Sequence, residues 1–96
     1  MTRDKLYEFF DKTIVRCREK LVERNEKRAM KEDALSNLRG EAMVCGKDVR
    51  SHVLDYIGLK LHRIQYANHD GTDTTDDTDD MINYLILFGA LKHKGE

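Results

Sequence analysis

Apolar positions along this chain recur at spacings of three and four, the period of an α-helix. The first stripe is Leu6, Phe10, Ile14, Cys17 and Leu21, widened by Phe9, Thr13 and Val22. It predicts a helix that starts after Thr2. Six consecutive polar residues follow, Glu23, Arg24, Asn25, Glu26, Lys27 and Arg28. They fit a solvated helix held by i,i+4 pairs such as Glu23 with Lys27, or a segment that faces a polar cavity or a ligand. Ala29, Met30, Ala34, Leu35 and Leu38 resume a helical stripe, and Arg39-Gly40 supplies the glycine of a left-handed helix end. Residues 41–46 form a short apolar link, either a helical turn or a buried loop. Asp48 caps the next strong stripe, Val49, Val53, Tyr56, Ile57, Lys60, Ile64 and Ala67, which ends at Asn68-His69-Asp70-Gly71. A polar loop then leads to Thr75, the expected N-cap of a last helix.

That last helix, residues 76–91, organises the chain. It opens with four carboxylates in five residues, Asp76 and Asp77 falling in the first turn, where the helix dipole favours acids. Asp76, Asp80 and Asn83 share one narrow face, with Leu87 below them. Met81, Leu85, Ile86, Phe88 and Leu91 leave almost no other face free of apolar groups, the pattern of a buried helix. A polar cluster at the mouth of a buried helix is the place to expect a site. Lys60 stands in the middle of an apolar stripe, with Arg63 about one turn on. A lysine there either snorkels outward or meets a carboxylate from another helix.

Composition narrows the possibilities. Ninety-six residues make one helical domain, 1–96, with a modest core. The expected fold is all-α, a bundle of about four helices; 36% of residues are charged and Pro is absent. So small a domain often buries its leftover apolar face in a homo-oligomer, here through the last helix. A net charge of -1 argues against general nucleic-acid binding. Cys17 and Cys45 form no CxxC pair and are expected to be reduced thiols. The first ten residues carry no apolar signal core and no run reaches membrane-span length, so a soluble cytoplasmic protein without membrane contact is expected.

The acidic run 70–80 is not an EF-hand loop. Counted from Asp70, the third, fifth and sixth places are Thr72, Thr74 and Thr75 and the twelfth is Met81; counted from Asp73, the sixth is Thr78 and the twelfth Tyr84. The chain also lacks a P-loop, a GxGxxG turn, an HExxH pair and a GxSxG elbow. His52, His62, His69 and His93 are scattered and are expected at the surface.

Three short motifs occur in order: Leu21-Val22-Glu23-Arg24-Asn25, Lys60-Leu61-His62-Arg63-Ile64, and Asp76-x-x-x-Asp80-Met81-Ile82-Asn83-Tyr84. Together they resemble the small all-helical phage and bacterial family called nucleotide modification associated domain 1, over residues 21–91. The chain departs from that family at Arg28-Ala29, where a Tyr-Gly is usual, and at Asp77, where a Thr is usual. The resemblance implies phage nucleotide metabolism, a setting in an infected bacterial host, and an architecture similar to MazG-like all-α nucleotide pyrophosphohydrolases. Those enzymes hold magnesium through paired ExxE and ExxD motifs, which Glu23-x-x-Glu26 and Asp77-x-x-Asp80 approximate.

Two functions follow as expectations. In the first, the chain binds a nucleotide or cyclic nucleotide with no required cofactor. Lys60 and Arg63 meet phosphate, Asn83 reads a base edge, Tyr84 or Tyr56 stacks on base or sugar, and Arg24 and Arg28 add charge. Asn25, Asp76 and Asp80 complete the set through the motifs. One form is a sponge that sequesters a cyclic nucleotide immune signal of the host (anti-defence), which needs tight binding and no catalytic residue. In the second, Glu23, Glu26, Asp76 and Asp80 hold magnesium for pyrophosphohydrolysis. A third possibility makes Lys60 half of a structural ion pair with Asp80 or Asp76, and the protein an inhibitor that binds a host factor.

Overall fold

The computed structural model describes residues 1–91. They form four helices, α1 (Arg3–Arg28), α2 (Ser36–Cys45), α3 (Val49–Asp70) and α4 (Thr75–Ala90). The fold is the all-α bundle that the periodicity predicts. No described helix is long and apolar enough to cross a membrane.

Local chemistry sets most of the boundaries. Thr2 caps α1 by accepting from the Lys5 amide at 3.2 Å, and Asp48 caps α3 through the Ser51 amide. Gly46 and Gly71 end α2 and α3 at φ 67° and 77°, in the left-handed region that costs a glycine no Cβ clash. The polar stretch 23–28 stays helical to its end, and Glu23 pairs with Lys27 at 3.0 Å.

Three boundaries differ from the expected ones. Residues 29–35 are not helical despite their apolar spacing, because hydrogen bonds there close a turn instead. The Met30 amide donates to Ser36 Oγ at 2.8 Å, the Asp33 amide donates to the Met30 carbonyl, and the Asn25 amide donates to the Ala34 carbonyl. Arg39-Gly40 does not end a helix but lies inside α2, where Arg39 pairs with Asp33. Residues 41–46 are the rest of that helix and its cap, with Met43 and Val44 exposed. The N-cap of α4 is Thr74 and not Thr75; the Asp73 carboxylate holds the entry turn through the Thr75 amide and hydroxyl.

Helix α4 packs between α3 and α1, and α2 covers α3. The apolar core is Leu38 and Ala42 of α2, Val49 and Val53 of α3, and Leu91 just past α4. Tyr56, Ile57, Tyr84, Leu87 and Phe88 pack around it, half-buried. Arg50 lies 3.9 Å over the Phe88 ring and donates to the Phe88 and Leu91 carbonyls, which covers the negative end of α4.

The expectation that α4 is apolar and buried all round is overturned. Its buried residues are Asp79, Asp80 and Asn83, while Leu85 and Ile86 are 49% and 51% exposed. The apolar stripe of α1 likewise finds no cover in its first turns, where Leu6, Phe9 and Phe10 are exposed. Among the histidines, His52 is buried, edge-on to Tyr56 and 3.3 Å from Glu41, contrary to the surface placement expected. His93 lies outside the described residues.

Candidate functional site

Helices α1 and α4 meet through charge. Arg16, Lys20 and Arg24 recur every four residues and so form one ridge along α1. Opposite them, the first turns of α4 present Asp76, Asp79 and Asp80. Asp79, 1% exposed, takes a two-pronged contact from Arg16, at 2.6 Å to Nε and 2.9 Å to Nη2, and a third from Lys20 at 2.8 Å. Lys20 also reaches Asp76 at 3.0 Å. Arg24 holds Asp80 at 2.7 Å, and Lys60 approaches the same carboxylate from α3 at 3.0 Å. Lys60 lies 3.4 Å from Asp77 as well. The lysine in the apolar stripe therefore meets carboxylates from a neighbouring helix.

These contacts set the ionisation of the cluster. The Arg16 hydrogen bonds hold Asp79 far below the usual carboxylate range, against burial and with help from Lys20. Burial pushes Asp80 up, but Lys60 and Arg24 outweigh it and the net shift is downward. Hydrogen bonds to Asp79 and Asp76 raise Lys20. Burial raises the Tyr84 phenol and the Cys17 thiol. Cys17 is a packed, unpaired thiol, and Cys45 is free and exposed.

Beside this seam lies a cavity of about 80 Å³ between α1, α2, α3 and α4. Arg24, Asn25, Arg28, Tyr56, Asp80, Asn83 and Tyr84 line it, so the structure brings seven of the expected ligand residues together. Asn37 and Glu41 of α2, which the motifs did not mark, complete its polar wall. Tyr56 and Tyr84 stack on each other, ring centres 4.9 Å apart and nearly parallel, so each has one face already used. A wider groove of about 510 Å³ continues along α1, lined by Lys20, Glu23, Arg24, Lys27, Arg28, Lys60, Asp76, Asp77 and Asp80. Arg24, Arg28 and Asp80 belong to both. Arg63 lines neither; it is half-exposed, 3.8 Å from Asp77.

The four carboxylates named for magnesium do not converge. Glu26 lines neither space, Glu23 is held by Lys27, Asp76 by Lys20, and Asp80 by Arg24 and Lys60. Among the described residues, no group of three or more His, Cys, Asp or Glu side chains is placed to hold a metal ion. In this arrangement the residues do not fit the ion.

Sequence reasoning missed Asp79, Arg16 and Lys20. Their signal was present in the four-residue cationic repeat on α1, which needs acidic partners if it faces inward. In comparisons with known proteins, no family model, no curated protein and no solved structure matches the chain.

Proposed function

We propose that the chain binds a nucleotide across the join between cavity and groove. The observation that supports this is the wall they share: a small pocket lined by aromatic and amide side chains and a groove with five cations and four carboxylates adjoin at Arg24, Arg28 and Asp80. A volume of about 80 Å³ is far below the several hundred that a ligand of nucleotide size occupies. It suits the edge of one planar ring, and the groove takes the sugar and phosphate.

The ion pairs revise the roles expected from sequence. Arg24 and Lys60 already neutralise Asp80. Arg28 has no ion-pair partner among the described residues, and Lys27 is held only by an exposed pair. These two are the cations that a phosphate engages without displacing a buried carboxylate. Tyr84 offers its ring to the base and Asn83 its amide. Such a site needs no chemistry to act; sequestration of a cyclic nucleotide immune signal in a phage-infected host is its simplest biological form.

The test is incubation of the protein with nucleoside mono- and triphosphates and cyclic oligonucleotides, with and without magnesium, followed by chromatography of what heat releases. Ligand depleted from solution and recovered intact supports the proposal. Monophosphate and pyrophosphate formed only with magnesium would replace binding by hydrolysis. Compounds left free and unchanged would overturn it and direct the search to a protein partner.

A further inference from the structure

The apolar stripe of α1 changes its surroundings part-way along. Leu6, Tyr7, Phe9, Phe10 and Ile14 lie on one face of the helix, the face that also carries Thr13 and Cys17. At Cys17 that face is covered by α4: Asn83 donates to the Cys17 carbonyl at 2.9 Å, and Cys17 is buried. Toward the N-terminus the cover ends. Leu6, Tyr7, Phe9 and Phe10 are 50% to 61% exposed and Ile14 39%. About three turns of α1 thus present a bare apolar face. At about 200 Å² for a side chain of this size, the exposed area is roughly 500 Å², at the upper end of what a monomer leaves in one patch. Three of the five residues are aromatic, the type that anchors interfaces.

We infer that this face docks a second copy of the chain, with the two α1 helices antiparallel about a two-fold axis near Tyr7. Two such faces bury about 1,000 Å² together, the size a specific interface needs. The face is self-complementary. Turned end for end, it sets Leu6 of each copy against Phe9 and Phe10 of the other, as an isologous contact requires. Its polar surroundings are neutral: Arg3, Lys5 and Lys12 balance Asp4, Glu8 and Asp11. Two copies therefore meet without net repulsion, whereas an anionic membrane would call for a basic rim. A parallel pair is excluded by α4, which already occupies the same face at Cys17 and would collide with the continuing helix of the other copy. The interface lies on α1 and not on the last helix that the hydrophobic pattern favours, and it does not depend on nucleotide binding.

Analytical ultracentrifugation at about 100 µM, a concentration that populates even a micromolar dimer, tests this. The native protein is expected at twice the chain mass. Phe10→Asp, at an exposed position and with its helicity verified by circular dichroism, is expected at the chain mass. Leu85→Asp, on the half-exposed side of α4, is expected to keep the native mass. A native protein at the chain mass, or a dimer that survives Phe10→Asp, would overturn the inference. Loss of the dimer in Leu85→Asp would put α4 into the interface and overturn the assignment to α1. Orientation is read by a short bismaleimide in a Cys45→Ser background, which removes the exposed native thiol. Tyr7→Cys is expected to cross-link the two copies and Arg3→Cys to remain uncoupled. Equal cross-linking of both would make the pair parallel and overturn the arrangement.

Discussion

Helix α4 is held at its two ends by opposite kinds of contact. Its C-terminal end joins an apolar cluster, where Val53 and Leu91 are fully buried among Leu38, Ala42 and Val49. Its N-terminal end joins α1 through a ladder of ion pairs centred on Asp79. The apolar cluster is non-directional and tolerates small shifts. The ladder is directional: each cation fixes which carboxylate it meets, and a buried ion pair sets register while adding little net stability. This difference explains the position of the cavity, which opens where one kind of packing gives way to the other. Leu38 and Leu87 form its apolar side, and Asp80 and Asn83 its polar side.

Removing one side of the ladder should have the largest effect. Asp79→Asn leaves Arg16 and Lys20 facing a neutral amide, and a loss of about 3 kcal/mol is expected by chemical denaturation. Val53→Ala should cost about 2 kcal/mol through lost contacts and a residual void. If the two losses came out reversed, the apolar cluster would dominate the hold on α4 and the contrast drawn above would fail.

Acid sharpens the same contrast. Asp79 and Asp80 have folded-state values below the ordinary carboxylate value near 4. Their contribution is therefore complete above about pH 4 and is lost as pH falls toward the folded values. Stability should decline steeply below about pH 4 in the native protein and in Val53→Ala, and more shallowly in Asp79→Asn. Parallel curves for all three, measured by melting temperature against pH, would remove the ladder from the explanation.

Lys60→Met distinguishes structural pairing from ligand contact. Asp80 keeps Arg24 and Asp77 keeps Arg63 in this variant, so the stability loss should stay near 1 kcal/mol. A nucleotide affinity that falls by more than that loss places Lys60 on phosphate; an unchanged affinity leaves it a strut between α3 and α4. The smallest effect is expected from Glu23→Gln, a midpoint in chemical denaturation indistinguishable from that of the native protein, since the pair with Lys27 is exposed on both sides.

Helices α1, α3 and α4 were legible because each carries its own stripe and, for α1 and α3, its own cap; period and capping are local properties. The expected site residues were legible as types on faces, and seven of them line one cavity. What misled the sequence-based expectation was the stretch 29–40. Its apolar spacing continues a helix, yet side-chain and backbone hydrogen bonds from Ser36, Asp33 and Asn25 turn the chain. Such competition depends on partners that periodicity does not register.

By itself, the sequence determined an all-α fold of about four helices, a charged opening to the last one, and a lysine that needed a carboxylate. Only tertiary structure decided that Asp79 is the most buried of the acids, that Leu85 and Ile86 stay half-exposed, and that Asn83 Oδ1 is left without a donor. A helix wheel ranks faces by hydrophobicity. Burial of an ionised group is decided by whether opposite charges arrive from other helices in the right register, and that register exists only once α1, α3 and α4 are packed.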